Sequence, residues 1–242
     1  MQLLFLGEIS LPEPPFGSTG VQLVKKEFFN MQILVDFLTF SDKKEKFDFW
    51  LDFFNFDLDE FQDIAPARGW LQHKYFGGIH VYFCGRDDIG FEFSGRGCRS
   101  LESLNQLSFD WLKLFRMLFD MNIHISRLDI ACDETEGILN FDKLFKSTAA
   151  HKYVCRARRR VYSQGDECCI IFGSPQSDTR LRIYDKALER SSALHDDTIN
   201  DEHWIRVEMQ MRNDAAMSFV RNLVTGMYDI GSCFLWCSFK LS

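Results

Sequence analysis

The sequence predicts an α+β protein whose antiparallel sheet consists of two joined β-α-β-β type halves, with helices packed on one face. Three segments carry this prediction, because each alternates polar residues with apolar ones: 127–133, 180–186 and 206–212. Alternate side chains of a strand point to opposite faces. Strands that are apolar on one face and polar on the other are typical of an antiparallel sheet with one face on the core.

The first half of the chain predicts a short series of elements after an irregular start. Residues 1–30 contain Pro12, Pro14 and Pro15 together with Gly17 and Gly20, and we expect them to form an extended arm. The pattern then predicts a strand at 31–40, a helix from 41 or 42 to about 62, a hairpin of strands 75–84 and 89–94, and a helix at about 100–120.

The second half opens in the same order, and Asp36 in the first opening strand corresponds to Asp129 in the second. It predicts a strand at 123–132, a helix near 140–149, strands near 153–163, 168–173 and 180–186, a loop at 190–202, a strand at 204–212 and a helix at about 214–224. No linker is predicted inside 31–225, which we interpret as one domain. The apolar tail 226–242 is compatible with a last strand, a last helix or a truncated end.

Composition excludes several classes of protein. The chain has 242 residues, of which 46% are hydrophobic, so it is globular. No run of 18 or more uncharged apolar residues is present, which predicts that no helix spans a membrane. The eight cysteines include no CxxC pair and the six histidines no His-x-His pair. We therefore expect buried thiols, a cytoplasmic protein and no paired-histidine metal motif.

The charge of the chain is acidic overall but unevenly distributed. A net charge of −7 and a pI near 5.4 do not by themselves indicate nucleic-acid binding. The segment 152–160 nevertheless carries five basic residues and can follow a phosphate backbone locally. A solvated run of charge is the alternative interpretation.

The segment around Tyr184 is the strongest candidate for chemistry. Period-two alternation places Arg180, Arg182, Tyr184 and Lys186 on one strand face. Cations beside a phenol favour its phenolate and can hold a phosphate, as a tyrosine that attacks a phosphodiester requires. The alternative is an ordinary solvated strand face. If the three alternating segments share a sheet, their polar faces converge into one patch of arginines and carboxylates around this tyrosine.

Five segments together resemble the replication initiation factor family, in its order and spacing over about residues 31–215. They are Val35–Thr39, Phe91–Arg99, Ser126–Asp133, Phe172–Glu189 and Trp204–Glu208. The family comprises rolling-circle initiators of small plasmids and filamentous phages and nickases of integrative conjugative elements. The resemblance implies a TBP-like or relaxase-like fold. Pro175 departs from the family, in which a basic residue is common at this position.

The resemblance also implies the roles of individual residues. It implies a nicking and joining endonuclease in which Tyr184 is the nucleophile, and a divalent metal (Mg²⁺ or Mn²⁺) held by Asp129 and Glu208. Further candidates for the metal are Asp36, Glu92 and Asp133. The expected contacts to DNA phosphates are Arg180, Arg182, Lys186, Arg206, Ser174 and Ser177.

From this resemblance we expect an initiator of rolling-circle DNA replication that works through a 5′-phosphotyrosyl intermediate. Its expected partner is origin DNA, single-stranded or as an extruded hairpin, with a host helicase and a second copy of the chain as candidate partners and no membrane. A conjugative relaxase with the same chemistry, an inactive DNA-binding regulator and a metal-dependent nuclease without a covalent step are the alternatives.

Several of these residues also have a structural interpretation. Asp129 and Glu208 could pair with Arg127 and Arg206 across strands, and Glu189 could pair with Lys186 or Arg190. The Gly95-Arg96-Gly97 sequence is expected to shape a turn from strand to helix, because as a phosphate-binding motif it is weak.

Overall fold

A computed structural model describes residues 31–105, 109–155, 157, 160–163, 168–194 and 203–239. The strands of the described residues are β1 (Gln32–Lys43), β2 (Gln62–Asp63), β3 (Gln72–Phe76), β4 (Ile79–Phe83), β5 (Asp88–Phe93), β6 (Ile125–Glu134), β7 (Tyr153–Cys155), β8 (Arg160–Ser163), β9 (Cys169–Phe172), β10 (Thr179–Asp185), β11 (Ile205–Arg212) and β12 (Cys237–Phe239). The α-helices are α1 (Phe47–Phe54), α2 (Gly95–Leu104), α3 (Trp111–Asp120), α4 (Phe141–Ala149), α5 (Lys186–Leu194) and α6 (Asn213–Val224).

The large sheet has ten antiparallel strands in the order β2-β3-β4-β5-β1-β6-β11-β10-β9-β8. The opening strands of the two halves, β1 and β6, lie side by side at its centre. In each half, the last strand that belongs to the large sheet, β5 or β11, lies directly beside the opening strand. Strands β12 and β7 form a separate pair. The predicted fold class is confirmed.

The apolar face of this sheet forms the core. Leu128, Ile130 and Cys132 of β6 belong to the same buried cluster as apolar side chains of β1, β5, β10 and β11. Five helices contribute to that cluster, α1, α2, α3, α4 and α6. Burial of this surface is the main favourable term in folding. Because the helices pack on the apolar face, the charged residues of the three alternating strands lie together on the opposite face.

Three predicted boundaries in the first half are wrong. The helix expected at 42–62 ends at Phe54, because Asn55 adopts a left-handed φ of 55°. The segment expected as one strand at 75–84 is part of two, β3 and β4, which turn at Gly77 and Gly78. The long helix expected at 100–120 is two helices, of which α3 begins after its cap Asp110.

The second half follows the prediction more closely, with one consequence for the site. The loop expected from 190 is instead the end of α5, which begins already at Lys186. The carboxylate of Asp185 accepts a hydrogen bond from the backbone N–H of Leu188 (2.9 Å), which starts the helix. Lys186 therefore lies on a helix and not on the strand face. In the tail, part of 226–242 forms β12, and Arg156, Arg158 and Arg159 of the basic segment lie outside the described residues.

The close packing of α2 on the β3–β4 turn explains the Gly-Arg-Gly sequence. Ser94 Oγ accepts a hydrogen bond from Gly97 N (3.2 Å) and donates one to Gly78 O (3.0 Å). A Cβ atom on Gly97 would overlap the carbonyl group of Gly78. The two glycines of this sequence lie in the first turn of the helix, as the structural interpretation of the sequence predicted.

We expect Gly97→Ala to lower the free energy of unfolding by about 3 kcal/mol, because the backbone of Gly78 cannot yield as a flexible side chain would. Urea denaturation measures the effect. Ser103→Ala, on the exposed part of the same helix, is the control and should change stability by less than about 0.5 kcal/mol. A Gly97→Ala protein as stable as this control would contradict the packing described.

Candidate active site

The register of β6, β11 and β10 brings the predicted site residues together on the polar face. In β10 and β11, Tyr184 pairs with Arg206 and Arg182 with Glu208. In β11 and β6, Gln210 pairs with Asp129 and Arg206 with Asp133. Neighbouring strands lie about 4.8 Å apart. The side chains of these three strands therefore meet in one patch.

Tyr184 and Glu208 are joined directly. The phenolic O–H of Tyr184 donates to Glu208 Oε2 at 3.1 Å, and Arg182 Nη1 lies 3.3 Å from both carboxylate oxygens. Tyr184 and Glu208 are 4% and 3% exposed. The guanidinium of Arg182 also lies over the tyrosine ring, 4.8 Å from its centre. This arrangement holds the hydroxyl in one orientation, with a proton acceptor in contact.

The electrostatics of Tyr184 differ from the sequence-based expectation that neighbouring cations favour its phenolate. Burial raises the pKa of Tyr184 well above its ordinary value, and the charges of Glu208 and Glu189 raise it further. Arg206 and Arg182 oppose this shift without overcoming it. The tyrosine is therefore a neutral phenol at neutral pH, and its proton must be accepted by a base during any nucleophilic attack.

Asp129 is a buried carboxyl group whose pKa is raised by its surroundings. It is 1% exposed and accepts hydrogen bonds from Arg127 Nε at 3.0 and 3.1 Å. Burial raises the pKa of Asp129 to about 7; Arg127 lowers it, and the charges of Glu208 and Asp36 add to the rise. The negative charges of Glu208 and Asp36 thus act on Asp129.

Arg206 connects the two halves of the sheet. It donates from Nε and Nη2 to the two oxygens of Asp133 at 2.6 Å each, and from Nη1 to Asp36 Oδ1 at 2.9 Å. We call these three residues the Arg206 clamp. They come from β11, β6 and β1, and both members of the Arg206–Asp133 pair are buried. This geometry favours a positioning role for Arg206, because its donors are used within the protein.

Arg206→Gln is expected to cost about 3–5 kcal/mol of folding stability, because it leaves Asp133 buried without its partner. Thermal denaturation measures the loss. Asp133→Asn in the same chain should recover part of it, since it removes the uncompensated charge. Arg86→Gln, which breaks the exposed pair with Asp88, is the matched control and should cost less than about 1 kcal/mol. Equal losses in the two single variants would contradict a buried clamp.

The solvent-facing part of the patch is cationic. The side chains of Arg127 and Arg182 are 30% and 31% exposed, whereas their partners Asp129 and Glu208 are 2% and 4% exposed. Guanidinium groups therefore form the outer layer and carboxylates the inner one. An incoming phosphate would meet the arginines first, which suits bidentate recognition of its oxygens.

The other residues predicted to contact phosphate lie on β10, at the start of α5 and in the β9–β10 turn. Lys186 lies over the Tyr184 ring, 5.6 Å from its centre, and pairs with Glu189, as one of the structural interpretations predicted. Arg180 lies two residues before Arg182, and its buried Nε has no hydrogen-bond partner among the described residues. Ser174 and Ser177 close the β9–β10 turn, with their hydroxyl oxygens 3.0 Å apart.

Glu92 lies outside the patch. It pairs with Arg68 (2.6 Å) on the first half of the sheet, opposite His80, whose Nδ1 is 2.9 Å from His73 Nε2. This pair of histidines was not predicted as a unit, because their contact depends on the β3–β4 turn. The structural interpretation that pairs Asp129 with Arg127 is confirmed, but the pair lies within β6 and not across strands. Glu208 pairs with Arg182 and not with Arg206.

The carboxylate oxygens of Asp129 and Glu208 are the type of ligand atom that a hard divalent cation prefers. Oxygen ligands are those that Mg²⁺ and Mn²⁺ prefer. A cation would offset the repulsion from Glu208 and Asp36, which adds to the effect of burial on the pKa of Asp129. Within the described part of the chain, no group of three or more His, Cys, Asp or Glu side chains is close enough to hold a metal ion. Mg²⁺ is commonly bound by two protein carboxylates, with water molecules completing its coordination shell.

Comparison with known proteins places the region that contains this site in a range matched by one family model. The model of the family described as "Replication initiation factor" matches residues 123–235, which include β6, β10 and β11. The resemblance to the replication initiation factor family is confirmed. The matched region contains Asp129, Tyr184 and Glu208, so the family likeness extends over the whole patch except Asp36.

Two individual proteins are similar to most of the chain. A Bacillus subtilis (strain 168) protein with the provisional name DNA relaxase NicK is 23% identical over 224 residues, covering 85% of this chain and 64% of the relative. This chain thus spans less than two thirds of that relative. The solved structure of a rolling circle replication initiator protein from Geobacillus stearothermophilus matches with a TM-score of 0.71 and 24% identity, covering 88% of each chain. This second likeness establishes the fold of the chain.

Proposed function

We propose that the protein initiates rolling-circle DNA replication by nicking and rejoining one strand at a specific site, with Tyr184 as the nucleophile. The observation that carries this proposal is the hydrogen bond from the Tyr184 hydroxyl to the buried carboxylate of Glu208. A nucleophile in contact with its base, below a layer of arginines, is the arrangement that attack on a phosphodiester requires. The family likeness of the same strands supports it.

The chemical step follows from this contact. Tyr184 passes its proton to Glu208 as its oxygen attacks the scissile phosphorus. The bond from phosphorus to the 3′ oxygen breaks, and that oxygen takes up a proton from water to leave a free 3′-OH. The 5′-phosphate remains bonded to the tyrosine. The phosphotyrosyl bond retains the energy of the broken phosphodiester, so attack by a 3′-OH rejoins the strand.

The cations of the patch orient the phosphate and balance its charge. Arg182 already contacts both the base and the ring of the nucleophile, and its exposed edge can donate to a phosphate oxygen. Arg180 and Lys186 lie on either side of it along the chain. Asp129, together with Glu208, would hold a divalent metal, which when bound supplies Lewis-acid stabilisation of the charge on the phosphate. This leaves Glu208 with two roles, as proton acceptor and as metal ligand.

Trapping the covalent intermediate tests the proposal. The protein is incubated with Mn²⁺ and single-stranded oligonucleotides tiled across the DNA next to its gene, labelled at either end, and denatured in detergent. We expect label from the 3′-side fragment to migrate with the protein, and mass spectrometry to locate the nucleotide on the peptide that contains Tyr184. Cleavage without protein-linked DNA would indicate a nuclease without a covalent step. Binding without cleavage would indicate an inactive regulator.

A conjugative relaxase is the second candidate function, and the provisional name of the Bacillus subtilis relative favours it. The chemistry at Tyr184 is the same in both cases, so the adduct does not separate them. The product does: an initiator supports replication of a plasmid that carries the nicked site, whereas a relaxase supports its transfer to a recipient cell. Both act on DNA in the cytoplasm, where we place this protein.

A further inference from the structure

Arginine side chains lie over aromatic rings along the polar face of the sheet. Among the residues that the structure describes, four arginines that are at least 30% exposed lie over a ring and pair with a carboxylate. These arginine–aromatic stacks are Arg86 over Trp70, Arg68 over Tyr82, Arg127 over Phe37 and Arg182 over Tyr184, with the guanidinium carbon 4.4, 5.3, 3.9 and 4.8 Å from the ring centre. The last of them includes the proposed nucleophile, so the other three need a separate explanation.

Carboxylates occupy the donor edges of these guanidinium groups. Arg86 donates from Nε and Nη2 to the two oxygens of Asp88 at 2.8 and 3.2 Å. Its Nη1 donates to the carbonyl oxygen of Arg68 at 3.0 Å. Arg127 Nε contacts both oxygens of Asp129 at 3.0 and 3.1 Å. An edge engaged in this way is less available to a phosphate, whereas the flat face of the guanidinium that points away from the ring remains.

The arginines form the outer layer of the two stacks in the first half of the sheet. The side chains of Arg68 and Arg86 are 52% and 45% exposed, and their carboxylate partners are 13% and 32% exposed. Below them, Trp70 and Tyr82 are buried. Each stack therefore presents the plane of a guanidinium to the solvent. Such planes, like aromatic rings, are surfaces on which unpaired nucleic-acid bases stack.

The stacks of the first half lie on the same sheet face as the active site. Glu92 alternates with Phe91 and Phe93, which belong to the core, so it points away from the helices. Glu92 pairs with Thr39, and Thr39 pairs with Arg127 on the other side. The two halves of the sheet therefore share one continuous polar face.

The row of stacks leads to the proposed nucleophile. Tyr82 lies in β4 and Tyr184 in β10, and the sheet order between them is β4-β5-β1-β6-β11-β10. At the usual spacing of strands this is a distance of about 24 Å. Single-strand binding sites of proteins begin at about four nucleotides, and a few nucleotides can span such a row.

We propose that this row is a base-stacking track for single-stranded DNA. The flat faces of Arg127, Arg68 and Arg86 hold bases of the strand whose phosphate Tyr184 attacks, and the positive outer layer suits the phosphates between those bases. The inference rests on the proposed function. Stacking tolerates any sequence because every base has a π-face, so the track orients the strand and leaves the choice of site to other contacts.

A purely structural role of the stacks is the competing explanation. In that case each arginine only covers a ring on the solvent side of the sheet. Such a cover does not require a flat group, because a lysine ammonium also lies favourably over an aromatic ring. Replacing arginine by lysine therefore separates the two explanations.

The test compares two ligands of equal length and charge, a mixed-sequence single-stranded oligonucleotide and an abasic oligomer that has the phosphates without the bases. Binding to the full chain is measured by fluorescence anisotropy in the absence of divalent metal. Each stacked base should contribute on the order of tenfold in affinity. We therefore expect the wild-type protein to bind the oligonucleotide on the order of 100-fold more tightly. Equal affinities for the two ligands would overturn the track, and this comparison requires no variant.

The double variant Arg68→Lys/Arg86→Lys keeps both charges and removes both flat faces. It should reduce the preference for the base-containing ligand on the order of tenfold, with the salt dependence of binding unchanged because no charge is lost. The matched control is Arg116→Lys/Arg221→Lys, in exposed residues of α3 and α6 on the helix side of the sheet. Equal melting temperatures of the two double variants show that both are folded. A preference equal to that of the control would overturn the track.

These binding measurements do not depend on the covalent adduct. An adduct at Tyr184 together with equal binding of the two ligands would reject the track alone. A preference for bases that depends on Arg68 and Arg86, without any adduct, would retain the track and reject the proposed nicking.

Discussion

Tyr184→Phe is expected to abolish nicking and the covalent adduct, lowering the cleavage rate at least on the order of 10⁴-fold, the scale of loss when a catalytic nucleophile is removed. Phenylalanine keeps the ring under Arg182 but has no oxygen to attack phosphorus. DNA binding should remain within about threefold, because the arginines that face the solvent are unchanged. The measurements are strand cleavage, adduct formation and Kd on the same oligonucleotide.

A second tyrosine of the same polar face provides the control. Tyr75→Phe makes the same chemical change in β3, beside His80 and far along the sheet order from Glu208. It should leave cleavage and adduct unchanged. A covalent adduct that persists in Tyr184→Phe would disprove the assignment of the nucleophile.

Asp129→Asn should abolish the effect of divalent metal and at the same time make the metal-free protein more stable above pH 7. The pKa of Asp129 is raised to about 7 in the folded protein, against about 3.9 in an unfolded chain. The folded state therefore binds the proton more tightly. The resulting stability is fully present below about pH 3.9 and is lost as the pH rises through about 7.

Asparagine cannot ionise and avoids this loss, so at pH 8 the variant should exceed the metal-free wild type by on the order of a few kcal/mol. Thermal denaturation with and without Mn²⁺ measures both effects. Mn²⁺ should raise the melting temperature of the wild-type protein at pH 8 and not that of Asp129→Asn. Glu92→Gln, which alters a carboxylate paired with Arg68 on the other half, should keep the metal response. A response to Mn²⁺ in Asp129→Asn equal to that of the wild type would exclude Asp129 as a ligand.

The fold was predictable where one face of a strand is apolar. Alternation in β6, β10 and β11 fixes which side chains share a face, because a shift by one residue would move Leu128 or Val207 out of the core. Prediction failed where a single residue ends an element. Asn55 terminates α1 through its left-handed backbone, and Gly77 and Gly78 divide an apparently continuous strand. Such events depend on local backbone conformation, which hydrophobic periodicity does not report.

The sequence predicted which residues lie on the polar face, but it did not predict which of their side chains contact one another. Alternation placed Tyr184, Glu208 and Asp129 on polar faces, but only the register of the strands shows that Glu208 accepts the hydrogen bond of the tyrosine. The predicted direction of the shift in the pKa of Tyr184 was wrong for a related reason. Adjacent cations are visible in the sequence, whereas the burial that dominates the shift is a property of the assembled sheet.

The positions of the Arg206 clamp and of Glu208 along the chain have a consequence for biosynthesis. Arg206 and Glu208 are made after Tyr184, and Arg206 reaches back over 170 residues to Asp36. A nascent chain can therefore expose the tyrosine before either its proton acceptor or the contact that joins the halves exists. Contacts at such sequence separation also form late, because closing a long loop costs entropy first. The tyrosine that we propose as the nucleophile therefore has no contact with its proton acceptor until β11, the last central strand, is inserted.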